Sequence, residues 1–139
     1  MNAEIMAVTR FEELDAWKRA RLLVNAIYDL TRGETVNRDF GLTGQIQRAS
    51  VSVMSNIAEG FERTHLAEKS QFYNIARGSS AEVRSLLYVI EDNYPEICAT
   101  AVELREEVGS VGRLITGLIR STETRKRREP LSILRSILF

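Results

Sequence analysis

One cysteine, one histidine and two prolines are all that this chain of 139 residues contains of each. With Cys98 alone no intramolecular disulfide can form, and a thiolate metal cluster would need more sulfur. His65 falls in a break between periodic segments, where a lone histidine reads as a solvated or capping residue rather than a ligand. Net charge is also missing: 19 basic residues balance 19 acidic ones. Such a chain has no global field to hold nucleic acid or a membrane, so any basic site must be local. No run approaches the roughly 20 apolar residues that cross a bilayer. The start, MNAEIMAVTRFEELD, has no basic stretch leading into an apolar one, so no signal peptide is expected. These absences predict a soluble, cytoplasmic protein that makes no use of a membrane.

Strand-like alternation is nearly absent too, and what fills the chain is helical rhythm. From about Thr9 to Thr31, Ala16, Ala20, Leu23, Ile27 and Leu30 recur at spacings of four and three. That is the stripe of an amphipathic helix. Leu14, Trp17, Val24 and Tyr28 widen it, and Phe11 and Trp17 are expected to anchor its start. RGETVNRDFG breaks the pattern with turn formers.

The second segment, Leu42 to Arg63, is the unusual one. Placed at about 100° per residue, Ile46, Ala49, Val51, Val53, Met54, Ile57, Ala58 and Phe61 cover roughly 200°. A surface helix needs only about half of that. This helix must bury itself against more than one neighbour, and Gln47 is the polar intruder in its arc.

The third segment spans Ala67 to Asn93, with Phe72, Ile75, Ala76, Ser79, Val83, Leu86, Leu87 and Ile90 assigned to one face. Pro95 suits the first turn of the fourth helix, where its missing N–H costs nothing. From there to about Thr122, Ile97, Ala101, Leu104, Val108, Val111, Ile115 and Leu118 keep a heptad seam. Cys98 reads as a small core residue. Gly109, Gly112 and Gly117 point to close helix approach.

The fold class is therefore all-α: an antiparallel up-and-down four-helix bundle, with helices near 10–31, 42–63, 67–93 and 95–122. Residues 1–122 make the bundle. Residues 123–139, with the basic run TRKRREP and the apolar LSILRSILF, read as a C-terminal appendage.

One polar constellation stands out. Arg48, Ser52, Ser55 and Glu59 recur at four, three and four, flanked by Gln45 and Asn56. The third helix supplies Gly78, Ser79 and Glu82. With the two helices antiparallel, Arg48, Ser52, Asn56, Glu59, Ser79 and Glu82 are expected to share a buried hydrogen-bonded network that fixes helix register. The competing view is acid–base chemistry by two carboxylates and an arginine. Against it, the stripe contains no histidine, no nucleophile beside a base and no phosphate-binding glycine loop. No enzyme activity, cofactor, metal or small-molecule substrate is expected. Arg125, Lys126, Arg127 and Arg128 form the one local basic run that could meet RNA or another acidic partner.

The segments FEELDAWKRARLL, LTGQIQRASVSVMSNIAEG and FYNIARGSSAEVRSLL together resemble the four-helix bundle proteins encoded within intervening sequences of bacterial 23S ribosomal RNA genes. The resemblance runs from about Phe11 to Arg120. Its motif positions fall on Gln45, Arg48, Ala49, Ser52, Asn56, Ile57, Ala58, Glu59, Gly60, Gly78, Ser79 and Glu82. Gln47 stands where many members carry a second arginine, and the tail after Ser121 departs from the pattern. The resemblance implies a homo-oligomer, a ring of five, with no catalytic activity. A related subgroup implies an alternative: a nucleic-acid-binding accessory protein that serves a reverse transcriptase in diversity-generating retroelements.

Overall fold

The structure, a computed structural model, describes residues 7–138, with side chains through Arg128. The described residues form four α-helices and no strand: α1 (Asp15–Leu30), α2 (Phe40–Glu62), α3 (Leu66–Asn93) and α4 (Cys98–Leu138). Short 3-10 turns, Phe11–Glu13, Val36–Arg38 and Pro95–Ile97, precede α1, α2 and α4.

The first element starts later than its periodicity predicts. Leu14 is extended, with φ −71° and ψ 128°, and separates the turn from α1. The kink places the Phe11 ring edge-on to Trp17, with centroids 5.1 Å apart. Asp15 in the first turn favours the positive end of the helix dipole. At the other end the buried Thr31 donates to Ile27 O at 2.8 Å. Gln47 Nε2 in turn donates to Thr31 Oγ1 at 3.0 Å. The polar intruder on α2 thus joins α2 to the end of α1 and is satisfied there.

Asp39 caps α2, accepting from the Leu42 N–H at 3.3 Å. Its other carboxylate oxygen accepts from the Tyr94 hydroxyl at 2.8 Å, which ties the α3–α4 corner to the start of α2. Thr35 and Glu96 are hydrogen-bonded at the same end.

Facing pairs set the topology. Ser52 meets Ser79 and Gly60 meets Tyr73, so residue numbers rise along α2 as they fall along α3. Ser70 meets Glu123 and Glu91 meets Arg105, the same reversal between α3 and α4. On α1 and α4, Asp15 lines one groove with Leu114, and Ala26 lines another with Leu104. Neighbouring helices are therefore antiparallel, in the cyclic order α1–α2–α3–α4, as an up-and-down bundle requires.

The core runs down the centre: Ala20, Leu23 and Ile27 of α1, Ile46, Ala49, Val53 and Ile57 of α2, Ala76, Val83, Leu87 and Ile90 of α3, and Ala101, Val108, Val111 and Ile115 of α4. α2 packs on both α1 and α3, as its wide apolar arc demands. α3 is turned relative to the predicted face. Tyr73, Ala76, Ser80, Val83, Leu87 and Ile90 are buried, whereas Ile75 is exposed and Phe72, Ser79 and Leu86 only half-buried. Because α3 contacts α2 on one side and α4 on the other, its buried line bisects the two contacts. The buried Ser80 returns its hydroxyl proton to Arg77 O at 2.7 Å.

α4 crosses the expected boundary after Thr122 without a break and continues to Leu138, through Pro130. Thr122 and Thr124 bond back to Leu118 O and Arg120 O within the helix. Lys126 sits 3.8 Å from Glu123, one turn away. The side chains of the apolar tail lie outside the described residues.

Candidate functional site

The polar stripe of α2 meets the Gly78–Glu82 stretch of α3 through Ser52 and Ser79, while Glu59 of the same stripe lines a surface cavity with Phe11, Ala58, Glu62 and Arg63. Helical spacing places Ser52 and Asn56 one turn apart on α2, and the antiparallel register brings Ser79 opposite them. The Ser52 and Ser79 hydroxyls lie 2.7 Å apart. Asn56 Nδ2 donates to Ser52 O at 2.8 Å and to Ser52 Oγ at 3.0 Å. All three side chains are half-buried. They form a small, satisfied polar seam that joins the two helices.

The charged members of the predicted network are not in it. Arg48, Glu59 and Glu82 are exposed. Among the described residues no ion pair joins Arg48 to either carboxylate. The Arg48 side chain instead folds back over Gly44, where its Nη1 would stand 3.0 Å from an added Cβ. All three long side chains reach water directly. Staying there avoids the desolvation that burial of both charges would cost. Buried carboxylates and an arginine partner, as expected from the sequence, are corrected to an exposed rim around a hydroxyl–amide seam.

The glycines are corrected likewise. Gly78 and Gly117 face open space, and Gly109 meets only the end of Arg113. Gly112 is the helix-four glycine that faces a neighbouring helix, where an added Cβ would lie 3.6 Å from Ser80 Oγ. The close approach is at the buried Gly60, where an added Cβ would lie 2.7 Å from the Tyr73 ring. A glycine inside a helical pattern was the available signal.

Residues 12–117 match the protein family described as 23S rRNA-intervening sequence protein. The chain belongs to this family. A search of curated proteins finds no match. Within this family member, Arg48, Ser52, Asn56, Glu59, Gly78, Ser79 and Glu82 are exposed or half-buried, while Ala49 and Ile57 fill the core. The family match ends before the basic run and the tail.

The family member carries a second polar cluster where α2 gives way to α3. Lys69 Nζ donates to Phe61 O at 2.5 Å and to Gly60 O at 3.4 Å, capping the carbonyl end of α2. Burial holds the Lys69 ammonium below its ordinary pKa, and the nearby Arg125 charge lowers it further. Arg63 lies over the Phe72 ring at 4.6 Å. Ser70 donates to Glu123 at 2.7 Å and so anchors α4. Arg125, Arg127 and Arg128 are exposed and Lys126 is half-buried beside Glu123. Sequence reading missed the Lys69 cap, since it depends on how a helix end meets the next helix.

His65 is exposed immediately before α3 and makes no capping bond. Cys98 is half-buried at the start of α4 rather than in the core. Among the described residues no cluster of three or more acidic, histidine or cysteine side chains could hold a metal. No described helix is long and apolar enough to cross a membrane.

Proposed function

We propose that this protein is a non-catalytic, cytoplasmic helical bundle that works by assembling with copies of itself. The observation that carries the reading is the outward placement of the motif. Arg48, Glu59 and Glu82 expose both signs of charge around the Ser52–Asn56–Ser79 seam, beside the exposed Ile75 and open Gly78. A rim with both signs fits a second protein surface that presents the complement. A ring of five is the form that the family resemblance implies, and it requires a head-to-tail contact, since a two-fold patch closes at a dimer. Light scattering at micromolar concentration tests the reading. A mass of several subunits is expected, and a stable monomer would reject it.

The second reading is an accessory protein that holds nucleic acid, or a reverse-transcriptase-like partner. It is favoured by the exposure of Arg125, Arg127 and Arg128 beyond the family match. Phosphate contacts make affinity fall steeply with salt. Titration with single-stranded RNA at two salt concentrations should then give salt-sensitive binding that Arg127→Ala and Arg128→Ala weaken. Absence of binding at low salt would remove this reading.

A further inference from the structure

Two surfaces of the bundle carry unmatched chemistry, and they lie on different sides. The first is the α1–α4 edge. Lys18 and Arg19 of α1 and Arg113 of α4 line a surface cavity of about 590 Å³ there, with Asp15 as its one carboxylate. Arg113 donates to the Ser110 hydroxyl at 3.0 Å. Among the described residues none of the three cations is in an ion pair. Arg19 also lines the adjoining groove of about 330 Å³, whose apolar walls are Leu22, Leu23, Ala26 and Leu104, with Glu107 beside them. Leu22 is 68% exposed. The edge is therefore cationic at one height and apolar further toward the end of α1.

The second surface is the outer side of α3. Ile75, Gly78, Glu82, Ser85 and Val89 recur at spacings of three and four, and all five are exposed. Ile75 and Glu82 stand one turn before and after Ser79, which meets Ser52, so the stripe leans toward α2 and away from α4. Glu82 is its one charge and has no ion pair among the described residues. The two surfaces match in height. Gly112, next to Arg113 in α4, faces Ser80 of α3. Glu82 is two residues further on, about 3 Å along the axis. Arg105, next to Leu104, lies over the Tyr88 ring at 4.2 Å, and Val89 is the next residue of α3. The Glu82 carboxylate thus stands level with the cationic cavity, and Val89 stands level with the apolar groove.

We propose that the α1–α4 edge of one copy packs on the α3 stripe of the next, with Glu82 in the Lys18–Arg19–Arg113 cavity and Val89 against Leu22. The proposal rests on the assembly reading and names its contact. Both surfaces belong to helices of one packed bundle, so a chain cannot bring them together by itself. Copies related by rotation about an axis along the bundle keep equal heights, so this pairing needs no sliding of one copy past another. The cavity holds three cations around one carboxylate, and a neighbour's carboxylate offsets the excess. The two surfaces differ, so the contact is heterologous and passes on from copy to copy.

Light scattering at micromolar concentration compares the parent with Glu82→Arg, with Leu22→Asp, and with a compensated chain that carries Lys18→Glu, Arg113→Glu and Glu82→Arg together. Circular dichroism checks each for helix content, and since the altered side chains are exposed, all should stay helical. Glu82→Arg and Leu22→Asp should lose most of the assembled mass, and the compensated chain should regain most of it. As an independent measure, Leu22→Cys and Val89→Cys chains, each also carrying Cys98→Ser, are treated with a short bis-maleimide, singly and mixed. A cross-linked pair joining one of each is expected. A monomeric parent would reject the assembly reading and this contact together. An assembled parent whose variants keep its mass, without the mixed cross-link, would overturn the contact alone. Loss of mass in Glu82→Arg that the compensated chain does not regain would overturn the pairing of Glu82 with the cavity. Cross-links between Leu22→Cys chains alone would overturn the contact in favour of a two-fold contact of α1 with α1.

Discussion

Gly60 and Gly78 are both helical glycines in motif positions, and their surroundings demand opposite outcomes on substitution. A Cβ on Gly60 would meet the Tyr73 ring at 2.7 and 2.8 Å and the Phe72 Cβ at 3.2 Å. Tyr73 is buried, so its ring cannot swing aside freely. Gly60→Ala should lose about 1–3 kcal/mol of stability through overpacking. Gly78 has nothing within 4 Å of an added Cβ. Gly78→Ala should gain up to about 1 kcal/mol from helix propensity alone. Urea denaturation of the two variants measures both, and a stable Gly60→Ala would remove the close-packing argument. The exposed carboxylates follow the same logic. Glu59→Ala and Glu82→Ala should each stay within about 0.5 kcal/mol of the parent, as surface substitutions do. A double-mutant cycle on Ser52→Ala and Ser79→Ala should instead return a coupling of about 1 kcal/mol, the usual net worth of a hydrogen bond.

Among the helices, the junctions hold the ionisable groups that matter. Tyr94 bonds to Asp39 and joins the α3–α4 corner to the cap of α2. That bond raises the Tyr94 pKa above 10.0, helped by desolvation and by the charges of Asp39 and Glu96. Burial raises the Tyr73 pKa too, against the opposing charge of Arg125. Where the folded pKa exceeds the unfolded one, the folded state holds more protons, so stability falls as pH rises. Both tyrosines thus contribute stability that is whole below pH 10.0 and lost as pH climbs through their folded pKa values. Lys69 works the other way, because its lowered pKa lets stability rise with pH below 10.5. Tyr94→Phe should lower stability at neutral pH and soften the alkaline decline. Chemical denaturation from pH 8 upward checks it, and an unchanged alkaline slope would show that the Asp39 bond is not the cause. The helices themselves were legible in the sequence, since periodicity depends only on neighbours three and four residues apart. The seam of α4, from Ala101 to Ile115, is buried as its spacing predicts. Junction contacts such as Lys69 on Phe61 O and Gln47 on Thr31 depend on how helices meet, which no local window contains. The same limit explains the exposed Glu59 and Glu82. Their stripe was readable, but whether it faced the core or the margin depended on the rotation of α2 and α3.

For the whole molecule, the cyclic helix order puts the α2–α3 groove and the α1–α4 groove on opposite edges of the bundle. A head-to-tail ring needs two different surfaces on opposite sides of each subunit, and the bundle offers such a pair. The α2–α3 edge carries the Ser52–Asn56–Ser79 seam and exposed Arg48 and Glu82, while the α1–α4 groove is largely apolar around Leu22. With zero net charge, copies brought together in the proposed assembly would meet without strong mutual repulsion. Folding and assembly should then be linked, because association stabilises the folded state by mass action. The melting temperature of the parent should rise with protein concentration across the micromolar range, where a monomeric bundle would show no change. Reversing the exposed rim tests which surface is responsible. The pair Arg48→Glu and Glu82→Arg alters two exposed side chains and should leave the secondary structure intact. It brings each charge against a like sign on the complementary surface, and like charges across an interface oppose association. The variant should melt at the temperature of the most dilute parent, independent of concentration, and run as a smaller species in light scattering. A concentration-dependent melting temperature that survives the reversal would move the contact away from the motif groove and leave the motif without a role in assembly.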